Sequence, residues 1–239
     1  MSARDVCVVI LAGGAASRFG GVTQVLPKCF LPVSAEETLL TRLLGQLRDA
    51  GFDKVAISTS PQWFPVFEAL VGRCRETRSS SALVLSNPAH AAGPLAALGN
   101  AARQIEEPRL LLCLPDIYFR ENPFPGLAAT GQDAVLSGCP VDRMTRAPSS
   151  GFLTVNEGMV ETLTYRTPPD RPDAFWPGVA LFPRNGFVPL LESVAPEGPI
   201  ENLFAAAMAQ GVRFAFQPCG PFGNVNTMVE WLYLLERPE

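Results

Sequence analysis

Two cations, Arg18 and Lys28, stand in a stretch whose other residues are mostly small: Ala12-Gly13-Gly14-Ala15-Ala16-Ser17 lead into Arg18, Gly20 and Gly21 follow, and Pro27 directly precedes Lys28. Glycine lets the backbone approach a ligand because no Cβ intervenes. Exposed backbone N–H groups in such a loop suit phosphate oxygens. A planar guanidinium at Arg18 can grip two of those oxygens, and Lys28 adds a compact charge whose approach Pro27 stiffens. The residue types describe a loop that holds a polyphosphate. It is not a dinucleotide fingerprint, because Gly13-Gly14-Ala15-Ala16-Ser17-Arg18 lacks the G-x-G-x-x-G spacing. It is not a P-loop either, since Lys28 is followed by Cys29 rather than by Ser or Thr. A third chemical candidate is Asp116, which follows Pro115 at the end of an apolar run. One carboxylate with phosphate oxygens and waters is a normal Mg²⁺ arrangement.

These residues need elements to hold them. Val6–Leu11, rich in β-branched residues, reads as a buried strand that delivers the loop at its C-terminal end. Thr38 caps a helix running to about Ala50, with Leu39, Leu40, Leu43, Leu44 and Leu47 on one face and Gly51 as its stop. Lys54–Thr59 is a second strand, Trp63–Val71 a helix, and Ala82–Leu85 a third strand. After a loop from Asn87 to Gly93 comes a helix from Pro94 to about Ile105. Leu110–Leu114 is then a central strand that ends at Pro115-Asp116, where open α/β sheets bind ligands. This order predicts a mostly parallel sheet with crossover helices. The second half reads as strands at Ala134–Cys139 and Gly151–Val155, a hairpin turn at Asn156-Glu157-Gly158-Met159 and a strand over Phe175–Phe182. A helix over Pro199–Gln210, a strand over Val212–Gln217 and a C-terminal helix after Asn224-Val225-Asn226-Thr227 complete it.

The 239 residues suffice for one large α/β domain, with 1–120 facing the nucleotide and 121–239 facing the acceptor, and no linker or repeat divides them. A net charge of −4 without a basic run argues against a nucleic-acid partner. No apolar stretch approaches membrane-spanning length, and Arg4 and Asp5 precede the first apolar run in place of a signal peptide. Cys7, Cys29, Cys74, Cys113, Cys139 and Cys219 form no C-x-x-C pair and read as reduced thiols of a cytoplasmic protein.

The opening stretch resembles the signature of nucleotidyltransferases that join an NTP to a sugar 1-phosphate. Their pattern L-A-G-G-x-[GA]-[ST]-R, then P-K with an apolar tail, matches Leu11–Arg18 and Pro27–Val33. The resemblance implies a Rossmann-like, GT-A type α/β fold: a mostly parallel central sheet flanked by helices, with a smaller antiparallel β element in the second half. It implies an NTP held by Leu11, Ala12, Gly13, Gly14 and Ser17. Arg18 falls on the pyrophosphate, Lys28 on the α-phosphate and Asp116 on Mg²⁺. Where many members carry D-x-G-T, this chain has Asn224-Val225-Asn226-Thr227, which puts Asn224 in the place of the second metal carboxylate and is similar to molybdenum-cofactor guanylyltransferases. His90–Leu98 resembles a guanylyltransferase base-binding turn, which places Gly93 and Pro94 at the base and favours GTP. Val160–Pro168 resembles the sugar-phosphate segment V-x-x-I-x-E-K-P, with Tyr165 for the Glu and Arg166 for the Lys. Gly151, Gly178, Glu201 and Asn202 then resemble sugar-binding positions. The reading is an Mg²⁺-dependent nucleotidyltransferase that makes an NDP-sugar and pyrophosphate, acts on small molecules alone and allows a homodimer. Its rivals are a cofactor guanylyl- or cytidylyltransferase of the same fold and a regulatory domain that binds nucleotide without turnover.

Overall fold

The computed structural model describes residues 3–14, 19, 25–77, 81–88, 93–144, 148 and 150–236. Its centre is the strand β1 (Val6–Leu11), whose first five residues are buried. It lies parallel to β2 (Lys54–Thr59) on one side and to β4 (Arg109–Cys113) on the other, and β3 (Ser81–Ser86) continues the parallel set beyond β2. A strand with neighbours on both edges and helices over both faces reads as a continuous apolar run, which is why the sequence signal was strong here.

Side chains alternate across the sheet. Val6, Val8 and Ile10 point to one face, with α1 (Leu39–Asp49), α2 (Phe64–Thr77) and α4 (Phe124–Ala129). Cys7 and Val9 point to the other, with α3 (Pro94–Gln104), α5 (Arg184–Ser193) and α6 (Glu201–Ala209). The cap at Thr38 is reciprocal: Thr41 N donates to Thr38 Oγ1 at 3.2 Å, and Thr38 N donates to Thr41 Oγ1 at 2.8 Å. Leu39, Leu40, Leu43 and Leu47 form the buried stripe of that helix.

Beyond β4 the sheet is mostly antiparallel. The strands β6 (Val135–Pro140), β7 (Gly151–Asn156), β8 (Met159–Tyr165), β9 (Ala174–Trp176), β10 (Val179–Pro183) and β11 (Phe214–Pro218) complete a ten-stranded sheet in the order β11-β8-β7-β9-β6-β10-β4-β1-β2-β3, with β11 also lying parallel to β6. The β7–β8 turn has positive φ at Glu157 (48°) and Gly158 (75°), as a two-residue hairpin with the strands' own twist requires. A separate ribbon pairs β5 (Ile117–Phe119) with β12 (Phe222–Asn224), and α7 (Met228–Glu236) follows it.

The strand expected over Phe175–Phe182 is interrupted. Both β9 and β10 pair with β6, at Cys139↔Phe175 and Leu136↔Ala180. Three steps along β6 thus match five along its partner, and Pro177 and Gly178 are the excess. Gly178 has φ +75°, and a Cβ there would collide with Leu114. On the far edge, β9 pairs with β7 while β10 pairs with β4. The sheet therefore forks at Pro177-Gly178, and the gap of the fork opens between the end of β4 and the start of β7.

Candidate active site

Lys28 sits on a 3-10 turn, Lys28–Phe30, that follows Pro27. The turn is pinned by Cys29, which is buried, and by Phe30 against Phe67 at 5.1 Å. This fixes the ammonium, which donates to Asp116 Oδ2 at 2.5 Å and to Asn226 Oδ1 at 3.2 Å. Asp116 follows β4, so the strand end carries it. The β5–β12 ribbon brings in Asn226, with Val225 N donating to Asp116 O at 2.9 Å. Glu230 then holds the segment after the ribbon: Asn226 N donates to its Oε2 at 2.8 Å, and so does Thr227 Oγ1 at 3.1 Å.

Two cavities meet at this cluster. The first, of about 480 Å³, is lined by Leu11, Ala12, Gly13, Gly14, Gly93, Pro94, Lys28 and Asp116 among others. The second, of about 220 Å³, fills the fork of the sheet and is lined by Gly151, Gly178, Glu201, Asn224 and again Pro94 and Asp116. Pro94 opens α3, so the positive end of that helix dipole faces both spaces. Gly93 has φ +88°, and a Cβ there would stand 2.6 Å from Pro196 O. Its glycine is required by the chain passing behind it as well as by any ligand in front.

Two of the residues expected to act, Ser17 and Arg18, lie outside the described residues, as does His90. Arg166 and Asn202 line neither cavity. Arg166 adopts φ +63° and sets its guanidinium 5.1 Å from the centre of the Tyr165 ring, so Tyr165 and not Arg166 faces the second cavity. Asn202 is exposed, and its amide lies against Gly198. Three residues were not singled out in sequence as site residues. Asn226 rather than Asn224 is the partner of Lys28. Tyr165 lines the fork. Asn87 is buried in the first cavity, its Oδ1 accepting from Ser58 Oγ (3.0 Å) and Asn100 Nδ2 (3.2 Å), with its own Nδ2 near Gly13. The signal that could have flagged Asn226 is Val225, apolar and fully buried between the two asparagines.

Glu201 is buried at the start of α6, and desolvation pushes its carboxyl up to about 7. Burial raises the thiol of Cys29, on the wall of the first cavity, to about 12, so it stays protonated and unreactive. Among the described residues no three His, Cys, Asp or Glu gather as a metal cluster, and no helix is long and apolar enough to cross a membrane.

Comparison with known proteins identifies the family and the fold. The sequence model of the MobA-like NTP transferase domain matches residues 8–165. No curated protein matches the chain in sequence. Among solved structures, a Bacillus anthracis protein assigned as a glucose-1-phosphate thymidylyltransferase and solved with sucrose superposes with TM-score 0.80 at 19% identity, covering 97% of this chain and 94% of that one. The inositol-1-phosphate CTP transferase from T. maritima gives 0.80 at 16% identity, covering 97% and 95%. HddC from Yersinia pseudotuberculosis, complexed with GMP-PN, gives 0.70 at 19% identity, covering 98% and 99%.

Proposed function

The chain belongs to the family of MobA-like NTP transferase domains and is a nucleotidyltransferase; from that premise we propose that it joins an NTP, GTP first, to a sugar 1-phosphate, releasing pyrophosphate and an NDP-sugar. The observation that carries the proposal is the position of Lys28, held by Asp116 and Asn226 where the two cavities meet. A cation at that seam faces the α-phosphate of a nucleotide in one cavity and the phosphate of an acceptor in the other. Residues 1–239 act as one domain in this reading, since both halves wall the seam.

An oxygen of the acceptor phosphate attacks the α-phosphorus, the bond to the bridging oxygen of the β-phosphate breaks, and pyrophosphate leaves with the electron pair. The acceptor phosphate is already ionised, so no general base is needed. The protein orients the two phosphates and neutralises the charge that builds on the α-phosphate. Lys28 does the second of these, and Arg18 is assigned to the departing pyrophosphate. Asp116 Oδ2 and Asn226 Oδ1 are hard oxygen donors that already converge on one cation, the Lys28 ammonium, and so fit Mg²⁺. Asn224 lines the same space and is a further oxygen donor. When bound, Mg²⁺ neutralises the triphosphate. The Nδ2 of Asn87, left over once its Oδ1 is occupied, serves as a donor to the base.

A second reading, transfer to a phosphorylated cofactor, is favoured by the description of the matching family. Pyrophosphate release across four NTPs and a panel of sugar 1-phosphates tests both. Release that needs an NTP and a sugar 1-phosphate together, fastest with GTP, is expected. A clear win by CTP or UTP overturns the base assignment. No release with any sugar phosphate overturns the acceptor assignment.

A further inference from the structure

Asn87, in the wall of the first cavity, is one end of a chain of side-chain amides that leads away from the nucleotide. Turning an amide over exchanges its oxygen for its nitrogen, so the same residue can present an acceptor or a donor to a ligand. Which of the two Asn87 presents is decided outside the cavity, on α3. There Gln104 Nε2 donates to the backbone carbonyl of Asn100 at 3.2 Å, and a carbonyl can only accept. The same nitrogen donates to Asn100 Oδ1 at 3.2 Å, which turns Asn100 Nδ2 the other way. That Nδ2 meets a second backbone carbonyl, Ser86 O, at 3.3 Å. Two backbone carbonyls therefore set the polarity of the chain. The remaining bond of Asn100 Nδ2, at 3.2 Å, goes to Asn87, which has to answer with its oxygen.

The other neighbour of the Asn87 amide is neutral in this choice. Ser58 Oγ donates to Asn87 Oδ1 at 3.0 Å and lies 3.4 Å from Ala97 O, but a hydroxyl can equally accept. The Asn87 backbone is held, with its N donating to Thr59 O at 2.8 Å, and the residue is buried. Its Nδ2 has no partner among the described residues and stands beside Gly13, where an added Cβ would lie 3.4 Å from it. Asn100 and Gln104 are four residues apart on one face of α3 and line neither cavity.

We propose that Asn100, oriented by Gln104, is a positioning residue for base selection. It locks Asn87 with Nδ2 toward the nucleotide, so that the first cavity favours a base that turns a carbonyl oxygen, rather than an amine, to this point. This rests on the reading of the first cavity as the NTP site. Two donors set face to face leave both unpaired, and an unpaired buried donor costs more than a made bond gains. Asn100 touches no part of the nucleotide and acts through Asn87.

The test measures calorimetric affinity for the four NTPs with Mg²⁺ and no acceptor, and kcat/KM for each with glucose 1-phosphate. GTP against ATP and UTP against CTP each exchange a carbonyl for an amine on a ring of one size. Asn100→Asp replaces the donor nitrogen by an acceptor oxygen, so Asn87 turns over and shows Oδ1 to the base. The preference for the carbonyl member of the better-bound pair is expected to fall about tenfold, the size of one hydrogen bond gained or lost. Asn87→Asp, an acceptor in either orientation, should shift the ratio the same way. Asn100→Ala, which frees the amide, should fall between and serves if the aspartate variant does not fold. In an Asn87→Ala background, Asn100→Asp should leave the ratio unchanged. An equal change for all four NTPs in both Asn100 variants overturns the proposal, because it confines Asn100 to the packing of α3. A ratio that still shifts in the Asn87→Ala background overturns it too. If the unmutated protein binds NTPs but turns none over, the same ratios in affinity decide. If it binds no NTP, the reading of the first cavity fails and the proposal falls with it.

Discussion

The two cavities are built by different means. The first lies at the ends of parallel strands, and its walls are largely small residues, Leu11 to Gly14 and Gly93 to Pro94, that offer backbone to a ligand. The second lies in the fork at Pro177-Gly178, and individual side chains shape it: Tyr165, Trp176, Glu201 and Asn224. Backbone donors suit a triphosphate, which every NTP shares. Side chains suit an acceptor, which must be told from others. The seam, where Pro94, Leu114 and Asp116 line both, belongs equally to the two. A substitution at the seam should therefore damage transfer as a whole, and one in the fork should damage recognition of one partner.

The largest effect is expected at the seam. Lys28→Ala should lower kcat about 100- to 1000-fold, the usual loss when one preorganised electrostatic group is removed, while NTP still binds. Lys28→Arg should restore it only in part, because a broad guanidinium cannot replace a compact ammonium between Asp116 and Asn226. Asp116→Asn should lower turnover strongly with little change in thermal midpoint. Steady-state kinetics beside NTP binding and thermal melts separate these outcomes. Loss of NTP binding in Lys28→Ala without any turnover in the unmutated protein would favour a regulatory domain. No change in either would remove the seam from the reaction and leave the two cavities unrelated.

In the fork, Glu201 offers an effect of intermediate size that does not depend on turnover. Burial raises its carboxyl from an ordinary 4.5 to about 7. The folded state thus holds that proton more tightly than the unfolded chain. The stability due to the neutral carboxyl is full below pH 4.5 and is lost as pH rises toward 7, on the order of 3 kcal/mol in all. Glu201→Gln, neutral throughout, should match the unmutated protein at pH 4 and exceed it by up to that amount at pH 8. Denaturant melts across this range check it. Parallel curves for the two proteins would mean that Glu201 is not desolvated, and that the fork is wetter than its geometry implies.

The same division governs how much could be read from the sequence. The parallel half announces itself locally: β1 is rich in β-branched residues, the Thr38 cap lies beside its leucine stripe, and Asp116 comes three residues after the end of β4. The fork does not. Its two extra residues, Pro177 and Gly178, look like part of one strand over Phe175–Phe182, and only pairing with β6 reveals them as excess. The helix α5 was hidden because Pro189 sits inside it and removes a backbone donor. The ribbon joining Ile117–Phe119 to Phe222–Asn224 links distant segments of three residues each, too short for any period to show. Asn224 was chosen because it stands where the D-x-G-T pattern has its Asp; that Asn226 meets Lys28 depends on how the chain turns after β12. Arg166 was placed on a phosphate because it stands where the segment V-x-x-I-x-E-K-P has its Lys; the positive φ that sets its guanidinium over Tyr165 leaves no trace in that pattern.

The smallest expected effect lies behind the seam, at Glu230, and tests whether the seam is positioned or merely present. Glu230 itself lines neither cavity. Its Oε2 accepts from Asn226 N and Thr227 Oγ1, and Thr227 Oγ1 in turn accepts from Glu230 N at 3.2 Å. This is a reciprocal cap at the start of α7, and losing such a cap costs about 1 kcal/mol. If the cap served α7 alone, Glu230→Ala would lower the thermal midpoint and leave kinetics untouched. The geometry says more, because the bond to Asn226 N fixes the residue whose Oδ1 meets Lys28. Glu230→Ala should therefore also lower kcat severalfold and raise the Mg²⁺ concentration needed for half-maximal rate. Glu230→Gln, which keeps an acceptor oxygen, should recover most of both. A lower midpoint with unchanged kcat and Mg²⁺ requirement would confine Glu230 to the helix, and would mean that Lys28 and Asp116 hold the seam without help from the ribbon.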